Sequence, residues 1–348
     1  MSLLEEELTG IDFFRFPPIG QEDWEYLYGA ATVRVLETRM LSRGLFVDMA
    51  NAESFASAAE LLSGTEYAIE AGADSEAIEA MLLQRRLAVR SLFDEMIQDK
   101  AVVGMMRARE DFANMRLAVR RVVTERPLGL DYSNEGSVAA EAFEEIFEQE
   151  AYFRLPDYLQ EAVEAAVLGY YENKDIRQID YRIDRVEAAW RVRRAREMDS
   201  VFCLSLARVR IDLCNLRTML RLKMAERDDR QFFLPDGFVD RDKFVQGLAA
   251  GYEAIAALFY ATPYAELLEE SIAYLRSEQS FLRLEQQCED YLMAFLKTTR
   301  TLAAGPQPIT AFFLMKEAEI RTVRMMLVGK KNGLSSKLML DRLGNWMQ

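Results

Sequence analysis

The carboxylates Glu141, Glu144, Glu145 and Glu148 recur at helical spacing, the kind of acidic run from which a helical bundle could hold a di-iron centre. That chemistry also needs Glu-x-x-His pairs from two helices, and the 348-residue chain contains no histidine. The same lack removes the usual general base at neutral pH and the commonest nitrogen ligand for zinc, so serine triads and zinc sites are not expected. Asp228 and Asp229 stand beside Arg227 and Arg230 without the further aligned carboxylate that magnesium-diphosphate chemistry needs. Gly329-Lys330-Lys331 lacks the upstream glycine and the following hydroxyl of a phosphate loop and follows a helix instead of opening one, so the chain is not expected to bind ATP by itself. The arginines of Trp190-Arg191-Val192-Arg193-Arg194-Ala195-Arg196 fit a charged helix face better than an RNA motif, because a net charge of -14 disfavours phosphate-rich partners. The acidic run then reads as a solvated helix face and the Asp pair as a loop or helix end. No catalytic, cofactor-binding or metal-ligating residue is assigned, no cofactor is expected, and nucleic acid is not expected as a partner.

The elements that carry these residues read as amphipathic helix almost throughout. Leu206, Val209, Leu213, Leu216 and Leu220 recur at three- and four-residue steps, the spacing of one helical face. No sustained alternation of β-branched and aromatic residues marks a strand. Breakers are few, 17 Gly and 8 Pro, and the main clusters are Phe16-Pro17-Pro18, Arg126-Pro127-Leu128-Gly129, Leu234-Pro235-Asp236-Gly237 and Gly305-Pro306-Gln307-Pro308. Half the residues are hydrophobic and 29% are charged, enough to build a large core without metals or disulfides. Cys203, Cys214 and Cys288 form no Cys-x-x-Cys pair; they read as buried small hydrophobes in a reducing cytoplasm. Glu5, Glu6 and Glu7 stand where a secretory leader would be basic, and the uncharged stretch Leu302 to Met315 is too short to span a bilayer. Any membrane association is expected to be peripheral. Residues 1 to 30 hold seven acids and one base, whereas residues 301 to 348 hold seven bases and three acids, so the two ends should prefer different surroundings.

One pattern recurs three times. Asp111-x-x-Asn114-Met115-Arg116 returns 101 residues later as Asp212-x-x-Asn215-Leu216-Arg217, and 107 residues beyond that as Glu319-x-x-Thr322-Val323-Arg324. Six residues after the arginine, Lys223 and Lys330 agree while Val122 departs. Asp and Asn are poor mid-helix residues, so their return implies hydrogen bonds to an adjacent helix that lock each unit's packing, or else a ring of matching polar groups about a central hole. Periods near 100 residues are too long for solenoid repeats. The expected fold is all-α, with three similar helical units at 24–130, 131–235 and 236–348 after an N-terminal extension, 1–23.

The run Glu317-Ala318-Glu319-Ile320-Arg321, then Gly329-Lys330-Lys331-Asn332-Gly333-Leu334 and Asp341-Arg342-Leu343, resembles the ending of the C subunit of archaeal and bacterial V/A-type ATPases, the d subunit of the eukaryotic enzymes (the AC39 family). Tyr28-x-x-Ala31-x-Val33-Arg34-x-Leu36-Glu37 resembles the family's opening helix, with Thr32 where a basic residue is common. Phe233-Leu234-x-x-Gly237, Phe244, Tyr252 and Thr262-Pro263-Tyr264 resemble the opening of its last third. The resemblance implies a non-catalytic adaptor: three helical domains in a pseudo-three-fold, funnel-like arrangement on the cytoplasmic face of the membrane. Its implied partners are the central-stalk subunits and the proteolipid ring, between which it passes torque for proton or sodium ion transport. The alternative is a helical protein-binding scaffold of another assembly.

Overall fold

The computed structural model describes residues 15–124 and 132–345. Fifteen α-helices and no strand occur among them. In chain order they are α1 (Leu27–Glu37), α2 (Arg43–Asn51), α3 (Phe55–Glu60), α4 (Ser75–Met96), α5 (Lys100–Val123), α6 (Ala140–Glu148), α7 (Asp157–Asn173), α8 (Arg177–Glu197), α9 (Val201–Met224), α10 (Arg241–Ala249), α11 (Tyr252–Leu258), α12 (Ala265–Glu278), α13 (Leu282–Lys297), α14 (Pro306–Lys331) and α15 (Ser336–Arg342). No helix of the described residues is long and apolar enough to cross a membrane. The breaker Arg126-Pro127-Leu128-Gly129, the acids Glu5 to Glu7 and most of the 1–23 extension lie outside the described residues.

The helices form two compact units. One lies within Asp99–Ala250; the other joins Phe13–Gln98 to Gly251–Gln348. In the first, α8 packs against α5, α7 and α9, and α5 also meets α6 and α7. Its core gathers Phe112, Met115, Phe143, Leu159, Ile179 and Ile183. The stripe Leu206, Val209, Leu213, Leu216 and Leu220 is buried on α9, as a single helical face requires.

In the second unit α14 is the axis, touching α1, α2, α3, α4, α13 and α15. Every residue from Gln307 to Ile320 is buried, so this half of the helix has no solvent face. The Gly-Pro-Gln-Pro cluster launches it. Gly305 is the N-cap with φ 140°, where a side chain would be strained and where a Cβ would stand 2.0 Å from Gln307 Oε1. Pro306 supplies the first helical residue, whose missing N–H costs nothing there. Most of the uncharged stretch that falls short of a membrane span, from Pro306 to Met315, thus belongs to the buried first half of an internal helix.

Cys203 and Cys288 are buried as expected; Cys214 is only half-buried, and none is in a disulfide. Phe143 is fully buried in the core of the first unit, so Phe143→Ala should cost about 3–5 kcal/mol, read as a lower midpoint in urea unfolding with secondary structure retained at zero denaturant.

Candidate functional site

The repeated acids sit on α5, α9 and α14 and are fully buried, an expensive placement for a carboxylate unless donors surround it. On α5, Asp111 Oδ1 accepts from the backbone N–H groups of Ser137 (2.8 Å) and Val138 (3.1 Å), and Oδ2 accepts from the Tyr158 hydroxyl at 2.9 Å. On α9, Asp212 accepts from the N–H groups of Phe238 (3.2 Å) and Val239 (3.1 Å). The amides complete the attachment. Asn114 exchanges two hydrogen bonds with the backbone of Ser133, at 2.7 and 2.8 Å, and Asn215 does the same with Leu234, at 2.9 and 2.7 Å. Apart from Tyr158, which lies on the neighbouring α7 as the sequence suggested, the partners are the backbone of the following loop.

Both loops need a glycine to come this close. A Cβ at Gly136 would lie 2.2 Å from Asp111 Oδ1, and one at Gly237 would lie 2.2 Å from Asp212 Oδ1. Each loop then turns directly into a nine-residue helix, α6 or α10. Val138 and Val239 are the residues just before the N-caps Ala139 and Asp240, so the acid fixes the point where the next helix starts.

Glu319 does the same on α14, with a loop from the other end of the chain. Its Oε2 accepts from Leu41 N at 2.6 Å, and Leu41 stands just before Ser42, the N-cap of the nine-residue α2. Its Oε1 accepts from the Tyr67 hydroxyl at 2.7 Å and from Lys316, which also pairs with Glu66. Burial, and then the adjoining carboxylate, raises the hydroxyl pKa of Tyr67 and likewise of Tyr158, so both stay protonated and donate. Thr322 turns back to Ala318 O at 2.9 Å on its own helix and holds no loop, which explains why the amide position changes in this copy.

The lysine agreement has a parallel cause. Lys223 donates to Leu248 O and Ala250 O at the end of α10, and Lys330 donates to Ala52 O (2.6 Å) at the end of α2. Each places a cation on the orphan carbonyls of a short helix. Where Val122 breaks the pattern, α6 ends instead in a local turn: Glu150 is left-handed at φ 53° and Ala151 N donates to Ile146 O at 2.9 Å.

The C-terminal run has the same logic. Gly333, at φ 69°, closes α14 in a turn with Leu334 N on Gly329 O (2.9 Å) and Gly333 N on Lys330 O (3.2 Å). Gly329 leaves room for α15, since a Cβ there would meet Met339 Sδ at 2.9 Å. Lys331 donates to Ala73 O at 2.5 Å. Glu317 pairs with Arg90 at 3.1 Å.

The residues weighed for chemistry are dispersed. Glu145 is paired with Arg154 at 2.8 Å on the surface of α6, a contact that holds its carboxyl below the usual range. Asp228 pairs with Arg230 and Asp229 with Arg227 in the loop after α9. Arg191 is the exception among the charged face of α8: it is buried, donating to Met105 O and Glu187. No group of three or more metal-ligating side chains is gathered among the described residues.

If the acid is a loop clamp, Asp212→Ala should cost about 3 kcal/mol, because two buried N–H groups lose a charged acceptor. Gly237→Ala should cost a similar amount alone and much less when Asp212 is already alanine; additive urea-unfolding energies in that double-mutant cycle would refute the clamp. Lys330→Met should cost about 1–2 kcal/mol, measured the same way.

Comparison with known proteins agrees with this frame. The model of the family described as ATP synthase (C/AC39) subunit matches residues 30–342. The C subunit of the V-type sodium ATPase of Enterococcus hirae is 26% identical over 318 residues, covering 89% of this chain and 95% of that protein. The family match spans all three acid-bearing helices and the loops they hold, and the chain belongs to the ATP synthase (C/AC39) subunit family.

Proposed function

We propose that this chain is the non-catalytic central-axis adaptor of a V/A-type rotary ATPase, joining the central-stalk subunits to the membrane proteolipid ring and passing torque between them. The observation that carries the reading is the match of the family model to residues 30–342, joined by a relative from a V-type sodium ATPase that is matched over 95% of its length. A part in that position needs stiffness more than chemistry. Close-packed helical interiors have low compressibility and transmit strain, and here buried carboxylates also fix loops to the helices beneath them. The chain would sit peripherally on the cytoplasmic face, held through the ring, and serve transport of protons or sodium ions driven by ATP hydrolysis elsewhere in the complex. The three-unit division is kept within this proposal. Two acid clamps run across the anticipated boundaries, from Asp111 to Ser137 and from Asp212 to Phe238, and the third, from Glu319 to Leu41, joins the last unit to the first, so a unit is best counted from its acid-bearing helix onward.

The purified chain should bind the detergent-solubilised proteolipid ring and, separately, the isolated central stalk at low salt; binding to neither would sink the adaptor reading. In reconstituted vesicles, complexes lacking this chain should still hydrolyse ATP in the detached head while ATP-driven ion uptake falls to background.

A further inference from the structure

Within the first unit a cavity of about 290 Å³ opens between the start of α8, the last turns of α9 and the segment that follows α9. Four arginines line it: Arg177, Arg217, Arg221 and Arg227. In a chain with 57 acidic and 43 basic residues, this reverses the prevailing balance. The carboxylate in the lining, Asp184, pairs with Arg116 at 2.5 Å. Arg217 and Arg221 stand one turn apart on α9, on the side of the helix that lines the cavity. Arg177 and Arg227 are aimed by neighbouring acids, Asp175 at 2.8 Å and Asp229 at 2.6 Å. The ring of Tyr181 stacks on Phe232 with centroids 3.5 Å apart and closes one wall, and Thr218 adds a hydroxyl.

Guanidinium forks match pairs of phosphate oxygens, and several around one cavity favour a ligand with more than one negative charge. The volume stands at the lower limit of small-molecule pockets, which begin at about 300 Å³, so a compact anion fits and a long polymer does not. We propose that this cavity binds a compact, multiply charged phosphate, free in solution or carried on a lipid headgroup, through Arg217 and Arg221 with Arg177 and Arg227 at the rim. The site has no phosphate loop and is independent of the adaptor reading.

The test uses the full chain and inorganic pyrophosphate, titrated by calorimetry at low ionic strength. Saturable binding is expected, weakening as NaCl rises. The double variant Arg217→Gln/Arg221→Gln should weaken it at least tenfold, while Arg193→Gln, on α8 and outside the cavity, should leave it unchanged. Should the double variant not fold by circular dichroism, Arg221→Lys serves in its place: it keeps the charge, loses the fork, and should weaken binding several-fold. Flotation with phosphatidic acid vesicles, against phosphatidylcholine vesicles, separates the sources. Binding of pyrophosphate alone assigns a free anion, and arginine-dependent flotation assigns a headgroup. Absence of both, or binding untouched by the arginine variants, overturns the proposal.

Discussion

A carboxylate taken out of water must be surrounded by donors, and in this protein that requirement is met by the backbone at the start of a short helix. Asp111, Asp212 and Glu319 each hold the N–H of the residue just before an N-cap, so each long helix determines where a nine-residue helix begins. The glycines at 136 and 237 follow from that contact, because no side chain fits against the acid. So do the lysines at 223 and 330, which hold the far ends of two of the short helices. A short helix fixed at both ends has little freedom left, and its orientation passes to whatever packs on it.

Much of this was legible in the sequence. Apolar spacing is enough to read helices, and the return of Asp-x-x-Asn-x-Arg is enough to mark the buried polar positions. The partners were not legible. A carboxylate in a helix carries no indication of whether it faces a side chain or a peptide N–H, and the loops at 133–138 and 234–239 have little in common beyond one glycine and one valine. The spacing of 19 residues from each Asn to its loop was a usable signal, since it is identical in both copies. The third copy hid its loop entirely. Leu41 precedes Glu319 by 278 residues, and no linear period points backward across the chain.

The arginines of the motif show where resemblance within a repeat stops. Arg116 pairs with Asp184, Arg324 pairs with Glu79 at 2.8 Å, and Arg217 lines a cavity. The acid and its loop are fixed by desolvation, which tolerates little change. A partly exposed arginine is worth far less to stability and is free to take a different partner in each copy.

The clamp from Glu319 back to Leu41 also bears on synthesis. Among the described residues the unit within Asp99–Ala250 is continuous, so its contacts can form as it leaves the ribosome. The other unit is not. Its α1 to α4 are made first but lack their central helix until Pro306–Lys331 has been translated, more than 200 residues later. In the interval their apolar faces have no native cover, and the closure that finally buries them is long-range and therefore slow. The segment bearing α1 to α4 thus waits for its central helix through the synthesis of the whole intervening unit.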